Sequence, residues 1–323
     1  MSLAPYIATV ARGPGRARPL TQTEAQEAMT HALDGTGAPE AVGALLMTLR
    51  LRGETADEIT GFSAAFRAHL RRWSKLEADL DWPSYSAGRT RGLPWFLLSA
   101  RLVAAAGYRI MIHGRNGSDA ALRAHLGPLG LSMSLTPTEA ATALEDVGIA
   151  YVPLEALSAR ATDLLALRDH LGLRSCVNTC LRVANPAAAP VTVQGVFHPP
   201  YRELQEAACE RLGDNSAMII KGGGGEFERY PGKPVVCHGF GPAGAWPDAP
   251  AILDDTRRLT EVTDDPAHLT GLWEGSWHHP FATATVLGTA ALALWSLGAT
   301  QTLPEAEARA ATLWSARQTR HAA

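Results

Sequence analysis

Apolar residues recur at helical spacing through the first eighty residues of the chain. Thr21 and Thr55 each precede a glutamate by three residues, a spacing typical of the capping box that starts a helix. A third helix is expected between them, and its apolar face consists of Val42, Leu45, Leu46 and Leu49. The pattern predicts a small all-helical domain over residues 1–80.

Some apolar residues are left over on these predicted helices, among them Met29, Leu33 and Met47. A helix that keeps an apolar stripe must bury it against another element or another chain. We therefore expect a homodimer that forms through the helical domain. Helical residues near 160–185 are expected to join that domain.

Beyond residue 80 the pattern changes to short apolar runs that alternate with helical stretches. The strand candidates are Arg109–His113, Ile149–Pro153, Val191–Phe197, Ala217–Lys221 and Pro234–Gly239. Such alternation predicts an α/β domain over residues 81–323, with a mainly parallel sheet that binds ligands beyond the carboxyl ends of its strands. One alanine-rich helix, Pro280–Leu297, is apolar on nearly all sides and is expected to be buried.

Composition limits the class of protein. The 323 residues are 46% hydrophobic and 19% charged, with a formal net charge of −3, which is typical of a soluble globular protein. Because no apolar run reaches about 18 residues and the N-terminus lacks a secretory signal pattern, we expect a cytoplasmic protein without membrane contact. Reduced thiols are expected at the four scattered cysteines, Cys176, Cys180, Cys209 and Cys237.

Charge is distributed unevenly along the chain. Residues 85–120 carry five arginines against one aspartate, whereas residues 203–275 carry thirteen acidic against six basic side chains. A polyanion would find an attractive side on such a protein despite the negative total, although a solvated basic surface is the simpler interpretation.

A run of glycines follows one apolar strand and is the first candidate for chemistry. Gly222, Gly223, Gly224 and Gly225 permit close backbone approach, so their N–H groups are suited to an anion that Lys221 and Arg229 would flank. A flexible loop is the alternative. Two carboxylates follow, Glu226 and Glu228, and they either hold Mg²⁺ or face the same solvent.

Two further segments each lie before a predicted helix. Arg89 and Arg91 lie in a polar turn over residues 85–95, where guanidinium charge and helix dipole together favour an anion. His113 and Arg115 begin a loop over residues 113–119 directly after a strand. His113 is either a structural imidazole or an acid or base. His278 and His279 lack the spacing of metal ligands, so neither a metal site nor a cofactor is expected.

The segments LTQTEAQEAMTHALDG, HGRNGSD, LRDHLGLRSCVNTCLRVANP and KGGGGEFER resemble the anthranilate phosphoribosyltransferase family, in the same order and across nearly the whole chain. Within it, the DWPSY and LPWFLL segments and the KGGGGEFER block look like a divergent, DNA-binding branch of YbiB type. The resemblance implies a nucleoside phosphorylase-like fold with a small helical domain, a large α/β domain and a homodimer.

The resemblance also shows where the chain departs from the enzymes. SAGRTRG stands in place of the glycine-rich diphosphate loop, and the Mg²⁺-binding Asp-Glu pair falls on Phe227 and Glu228. Arg115 stands where the enzymes have asparagine. On the acceptor side His113, Arg168 and Asn178 match, which implies a vestigial acceptor site.

We therefore expect a DNA-binding protein without the parent catalytic activity, which contacts phosphate backbones with little sequence preference. Its partner would be single- or double-stranded DNA, or RNA. The expected phosphate contacts are Arg89, Arg91, Arg115, Lys221 and Arg229. The alternative is a glycosyl or phosphoribosyl transferase that uses phosphoribosyl pyrophosphate and Mg²⁺ with an unidentified acceptor.

Overall fold

The computed structural model describes residues 2–13, 15–85, 92–115, 119–258 and 261–317, with backbone only at 119–121. Four helices open the chain: α1 (Ala4–Ala11), α2 (Gln22–Leu33), α3 (Pro39–Arg52) and α4 (Ala56–His69). Both predicted capping boxes are present, at Thr21 for α2 and at Thr55 for α4. The helical domain is therefore assembled from the signals that the sequence carries locally.

A seven-stranded sheet forms the centre of the rest of the chain. Its strands are β1 (Leu80–Ser84), β2 (Ile110–Gly114), β3 (Ile149–Pro153), β4 (Val191–Val196), β5 (Ser216–Lys221), β6 (Cys237–Gly241) and β7 (Gly244–Ala245). They are ordered β3-β2-β1-β4-β5-β6-β7. The first five are parallel and the last two are antiparallel. The predicted fold class is confirmed.

The helices of this domain cover both faces of the sheet. They are α5 (Phe96–Ala105), α6 (Asp119–Ala124), α7 (Pro137–Asp146), α8 (Leu154–Leu157), α9 (Ala159–Leu171), α10 (Val177–Val183), α11 (Tyr201–Arg211), α12 (Ala267–Glu274), α13 (Pro280–Ser296) and α14 (Leu303–Ala316). Alternate strand residues enter separate cores, as Ile219 and Ile220 of β5 do. Helix α13 is buried along nearly its whole length, as its pattern predicts.

The sequence pattern missed β1, because this strand contains an aspartate, a proline and a serine instead of an apolar alternation. Asp81 is buried there and accepts a hydrogen bond from the Thr192 hydroxyl of neighbouring β4 at 2.9 Å. A partner more than one hundred residues away thus makes a polar residue tolerable in a central strand.

The helical domain is joined to the sheet by α9 and α10. Arg160 of α9 donates to the carbonyl of Ala32 at 2.7 Å, and Arg67 of α4 donates to the carbonyl of Val183 at 3.0 Å. Met29 and Leu33 are buried against other elements of the same chain, so these two residues do not require a partner subunit. The homodimer itself stays a prediction.

All four cysteines are buried and form no disulfide, in agreement with the expected reduced thiols. Within the described ranges, no helix has both the length and the hydropathy required to cross a membrane.

Candidate anion-binding site at the sheet edge

The strand order reverses between β1 and β4, because the chain proceeds from β1 to β3 in one direction and from β4 to β5 in the other. Ligands of open α/β sheets bind beyond the carboxyl ends of the strands at such a switch point. The loop predictions after residues 84, 113 and 221 all fall at this edge. Arg89 and Arg91 lie outside the described residues.

The glycine run forms a tight turn after β5. A Cβ atom on Gly222 would lie 1.6 Å from the carbonyl oxygen of Glu226, and Gly225 has a φ of +89°. These two glycines are therefore required for the chain to fold back on itself. The role of Gly223 and Gly224 toward an anion stays a prediction.

The two carboxylates after this turn are buried, so the expectation that they face solvent together is wrong. Glu228 accepts a hydrogen bond from the backbone N–H of Phe96 at 3.0 Å, at the start of α5. Phe227 packs edge-on against Trp82, with ring centroids 5.5 Å apart. No group of three metal-ligating side chains occurs within the described residues. A Mg²⁺ ion held by Glu228 does not fit this arrangement.

Arg229 is also buried, which contradicts its expected role as a phosphate contact. Its Nη1 lies 2.7 Å from a carboxylate oxygen of Glu307, and its Nη2 donates to the carbonyl of Pro250 at 2.8 Å. A guanidinium that a carboxylate and a carbonyl already satisfy is not available to a ligand.

His113 lies in a closed polar cluster below the sheet edge. Its Nδ1 is 3.0 Å from the hydroxyl of Tyr85, and its Nε2 is 3.1 Å from a carboxylate oxygen of Asp81. Burial raises the pKa of the Tyr85 hydroxyl well above its usual value, so this group stays protonated. All three side chains are buried, and the arrangement favours the structural interpretation of His113.

An open cavity of about 290 Å³ lies at the carboxyl end of β4, between the helical domain and the sheet. Three arginines line it, Arg50 of α3, Arg174 before α10 and Arg182 of α10, and its described lining contains no carboxylate. The predicted acceptor residue Asn178 lies in the same lining. Arg168 lies close enough for its positive charge to lower the pKa of Arg174, after the larger effect of burial. We call this cavity the arginine pocket.

Arg182 is the buried member of the arginine pocket. Its Nη2 donates to the carbonyl of Tyr85 at 2.5 Å and to that of Gly225 at 3.3 Å, so it joins the ends of β1 and β5 across β4. Its Nη1 donates to the side chain of Asn178. Burial lowers the pKa of Arg182 to about 10, which the charge of Glu226 partly offsets, so the guanidinium is cationic at neutral pH.

The sequence interpretation missed Arg50, Arg174 and Arg182. The last two flank Asn178 in a stretch that the sequence already singles out, so their spacing was an available signal. Arg50 lies in the helical domain, and only tertiary packing brings it to the sheet edge.

Two expected phosphate contacts remain accessible at this edge, outside the arginine pocket. Lys221 is exposed at the end of β5, and Arg115 is half-buried after β2, with its Nη1 3.5 Å from the carbonyl of Thr162. Two strands separate β2 from β5, which puts these strand ends roughly 14 Å apart. The two side chains therefore start from well-separated points on this edge.

Comparisons with known proteins agree with this architecture. The helical bundle domain of a glycosyl transferase family matches residues 4–70, and the a/b domain of a glycosyl transferase family matches residues 96–239. The fold and the sheet-edge pocket thus define a two-domain protein of the glycosyl transferase class.

Curated relatives narrow this class. The anthranilate phosphoribosyltransferase of Moorella thermoacetica is 31% identical over 310 residues, which cover 90% of this chain and 88% of that protein. The enzyme of Methylocella silvestris is 30% identical over 226 residues, which cover 69% of this chain and 64% of that protein. The chain belongs to the glycosyl transferase family that includes the anthranilate phosphoribosyltransferases. It spans slightly less than two thirds of the length of several of these relatives.

Solved structures show the same fold. Anthranilate phosphoribosyltransferase from Thermus thermophilus superposes with a TM-score of 0.79 at 24% identity and covers 94% of this chain and 93% of its own. The Saccharomyces cerevisiae enzyme in complex with PRPP and Mg superposes with a TM-score of 0.74 at 15% identity, covering 99% and 95%. The predicted family is confirmed, and the DNA-binding branch stays a prediction.

Proposed function

We propose that this protein transfers a glycosyl or phosphoribosyl group to an anionic acceptor, and that arginine supplies the positive charge at its site. The observation that carries this proposal is the buried, cationic Arg182 at the switch point of the sheet, with Arg50 and Arg174 in the same pocket. Relatives of this chain are phosphoribosyltransferases, and one solved neighbour binds PRPP and Mg.

Transfer from phosphoribosyl pyrophosphate breaks the bond between the sugar and its diphosphate and forms a bond to the acceptor. Negative charge develops on the departing diphosphate, so cations placed beforehand around it stabilise the transition state. Glu228 is committed to the backbone of Phe96. Stabilisation of the charge on the departing diphosphate is therefore assigned to guanidinium groups of this chain.

Calorimetric titration of phosphoribosyl pyrophosphate into the purified protein, with EDTA present, tests the proposal. We expect saturable binding without a divalent cation, and release of pyrophosphate when aromatic acids are supplied as acceptors. Binding that appears only when MgCl₂ replaces EDTA would overturn the assignment of charge stabilisation to arginine. An absence of binding at low salt in both conditions would overturn the transferase proposal, because a transferase must bind its donor.

Nucleic-acid binding is the second candidate, and the accessible Lys221 and Arg115 at one sheet edge favour it. Two accessible cations at separate strand ends suit the phosphates of an extended backbone better than one small anion. In this proposal DNA or RNA binds with affinity that falls steeply as salt rises, since phosphate contacts release counterions.

Fluorescence anisotropy of labelled single- and double-stranded oligonucleotides separates the two candidates. We expect Lys221→Glu to weaken binding and to reduce the salt slope by about one. Lys75→Glu is the matched control, because Lys75 is exposed and precedes β1 at the opposite end of the sheet. If the two variants bind the oligonucleotides with equal affinity, the proposal that nucleic acid binds at this sheet edge is overturned.

A further inference from the structure

The arginine pocket combines a buried cation with two exposed ones. Arg182 is 4% exposed, and its Nε, which lies in the buried part of the site, has no hydrogen-bond partner within the described residues. Arg50 and Arg174 are exposed and lie at the rim. A buried donor without an acceptor costs free energy, and a bound anion would satisfy it.

Three carboxylates act on cations in or near the pocket. Asp169 lies 3.4 Å from the guanidinium of Arg168, and the charge of Glu226 acts on Arg182. Glu54 interacts with the charge of Arg50. Arg174 forms no hydrogen bond or ion pair with another described residue, and the charges that act on it are those of Arg168 and Arg50. The pocket therefore has one guanidinium that is not committed.

The donors of the pocket suit a tetrahedral anion. Arg50 donates to the hydroxyl of Tyr201 at 3.0 Å and keeps other N–H groups available, and Arg174 keeps its whole planar fork. A carboxylate offers two oxygens and one negative charge, whereas a phosphate monoester offers three terminal oxygens and about two charges. Arg50 and Arg174 supply free N–H donors and Arg182 adds a buried positive charge, so the pocket matches the phosphate better.

The mouth of the pocket offers a place for an apolar group as well. Phe197 is 47% exposed and lies edge-on to His198, with ring centroids 4.8 Å apart. Both residues line the cavity, whose volume of about 290 Å³ is near the lower limit for small-molecule sites. A small ring attached to an anionic head group would contact them.

We infer that the arginine pocket binds a small phosphate monoester, with the phosphate against Arg50 and Arg174 at the rim, close to the buried charge of Arg182, and the esterified group against Phe197. That this phosphate monoester is a substrate of the site rests on the proposed function. Its binding is measured separately, because a binding measurement does not require transfer.

Isothermal titration with phenyl phosphate and benzoate tests the inference, because these probes share a ring and differ in head group. We expect phenyl phosphate to bind at least about tenfold more tightly than benzoate, since it makes additional charge-assisted hydrogen bonds. We expect Arg174→Gln to weaken phenyl phosphate binding by about tenfold or more, with an unchanged melting temperature. Inorganic phosphate should compete with phenyl phosphate in the native protein.

Arg258→Gln is the matched control, because Arg258 is 84% exposed and far along the chain from the pocket. Equal binding of the two probes, or an Arg174→Gln variant that binds like the native protein, would overturn the inference. If phenyl phosphate binds and phosphoribosyl pyrophosphate does not, the inference about the pocket stands and the transferase proposal is overturned. If phosphoribosyl pyrophosphate binds and phenyl phosphate does not, the transferase proposal stands and the inference about the pocket is overturned.

Discussion

Arg67 of α4 reaches across the domain boundary to Asp214, the residue shortly before β5, with its Nη2 2.6 Å from the carboxylate. The same guanidinium donates to the carbonyls of Val183 and Leu212. Asp214 is also held by Asn185, whose side-chain amide donates to it at 3.2 Å. One arginine thus connects the helical domain to the segments around two strands of the sheet.

Arg67→Met is expected to lower the free energy of unfolding by about 3 kcal/mol, because the buried carboxylate of Asp214 loses its cation and two carbonyls lose a donor. Urea denaturation measures the loss. Arg211→Gln is the control, since Arg211 pairs with Asp57 between the same two regions but both side chains are largely exposed. That variant should lose about 0–1 kcal/mol. Equal losses would contradict the assigned role of Arg67.

Glu228→Ala is expected to destabilise the protein by about 1–3 kcal/mol, because the N–H of Phe96 loses its acceptor in a buried site. Thermal denaturation with and without MgCl₂ checks this prediction. Mg²⁺ should shift the melting temperatures of the native protein and the variant equally. A Mg²⁺-dependent stabilisation that disappears in the variant would show that Glu228 binds the metal after all.

Gly222→Ala is expected to cost about 1–3 kcal/mol, because the added Cβ would overlap the carbonyl oxygen of Glu226. Gly43→Ala is the contrasting variant. Gly43 lies inside α3, and the nearest atom to an added Cβ is 3.9 Å away, so this change should stabilise the helix by about 0.5–1 kcal/mol. Opposite shifts of the urea midpoint would confirm both predictions, whereas a neutral Gly222→Ala would mean that the turn repacks.

The pKa of the Glu24 carboxyl group predicts a pH dependence of the protein's stability. Its hydrogen bond with Arg18, and next its contact with the backbone of Thr21, lower the pKa of Glu24 from 4.5 to about 2. A lowered folded-state pKa stabilises the protein above about pH 4.5, and this contribution is lost as pH falls toward about 2. The side chains of Arg18 and Glu24 are 53% and 29% exposed, so solvent screens the pair and the effect is small.

Glu24→Gln isolates this contribution, because glutamine retains the capping box while it removes the charge. Urea midpoints of the native protein and the variant should differ most near about pH 6 and converge as the pH approaches about 2. A difference that stays constant with pH would assign the effect to packing instead of charge.

Local patterns predicted the elements and the edge at which they meet. A capping box needs residues within one helical turn, so Thr21 and Thr55 could be assigned from spacing alone. Loops after parallel strands emerge at the same edge, so the segments after residues 113 and 221 could be grouped from the sequence, whereas the segment after residue 84 could not, because β1 carries no strand pattern.

Whether a charged side chain is already paired depends instead on residues far away in the sequence. Arg229 was expected at the ligand and is occupied by Glu307, and Glu228, a weak Mg²⁺ candidate, is occupied by the backbone of Phe96. Arg50 and Arg182 lie more than one hundred residues apart in the chain and line one pocket. The residue order determined the elements because backbone hydrogen bonds and amphipathic spacing are local. Only the tertiary structure decided which charges face a ligand, because burial depends on what packs from elsewhere.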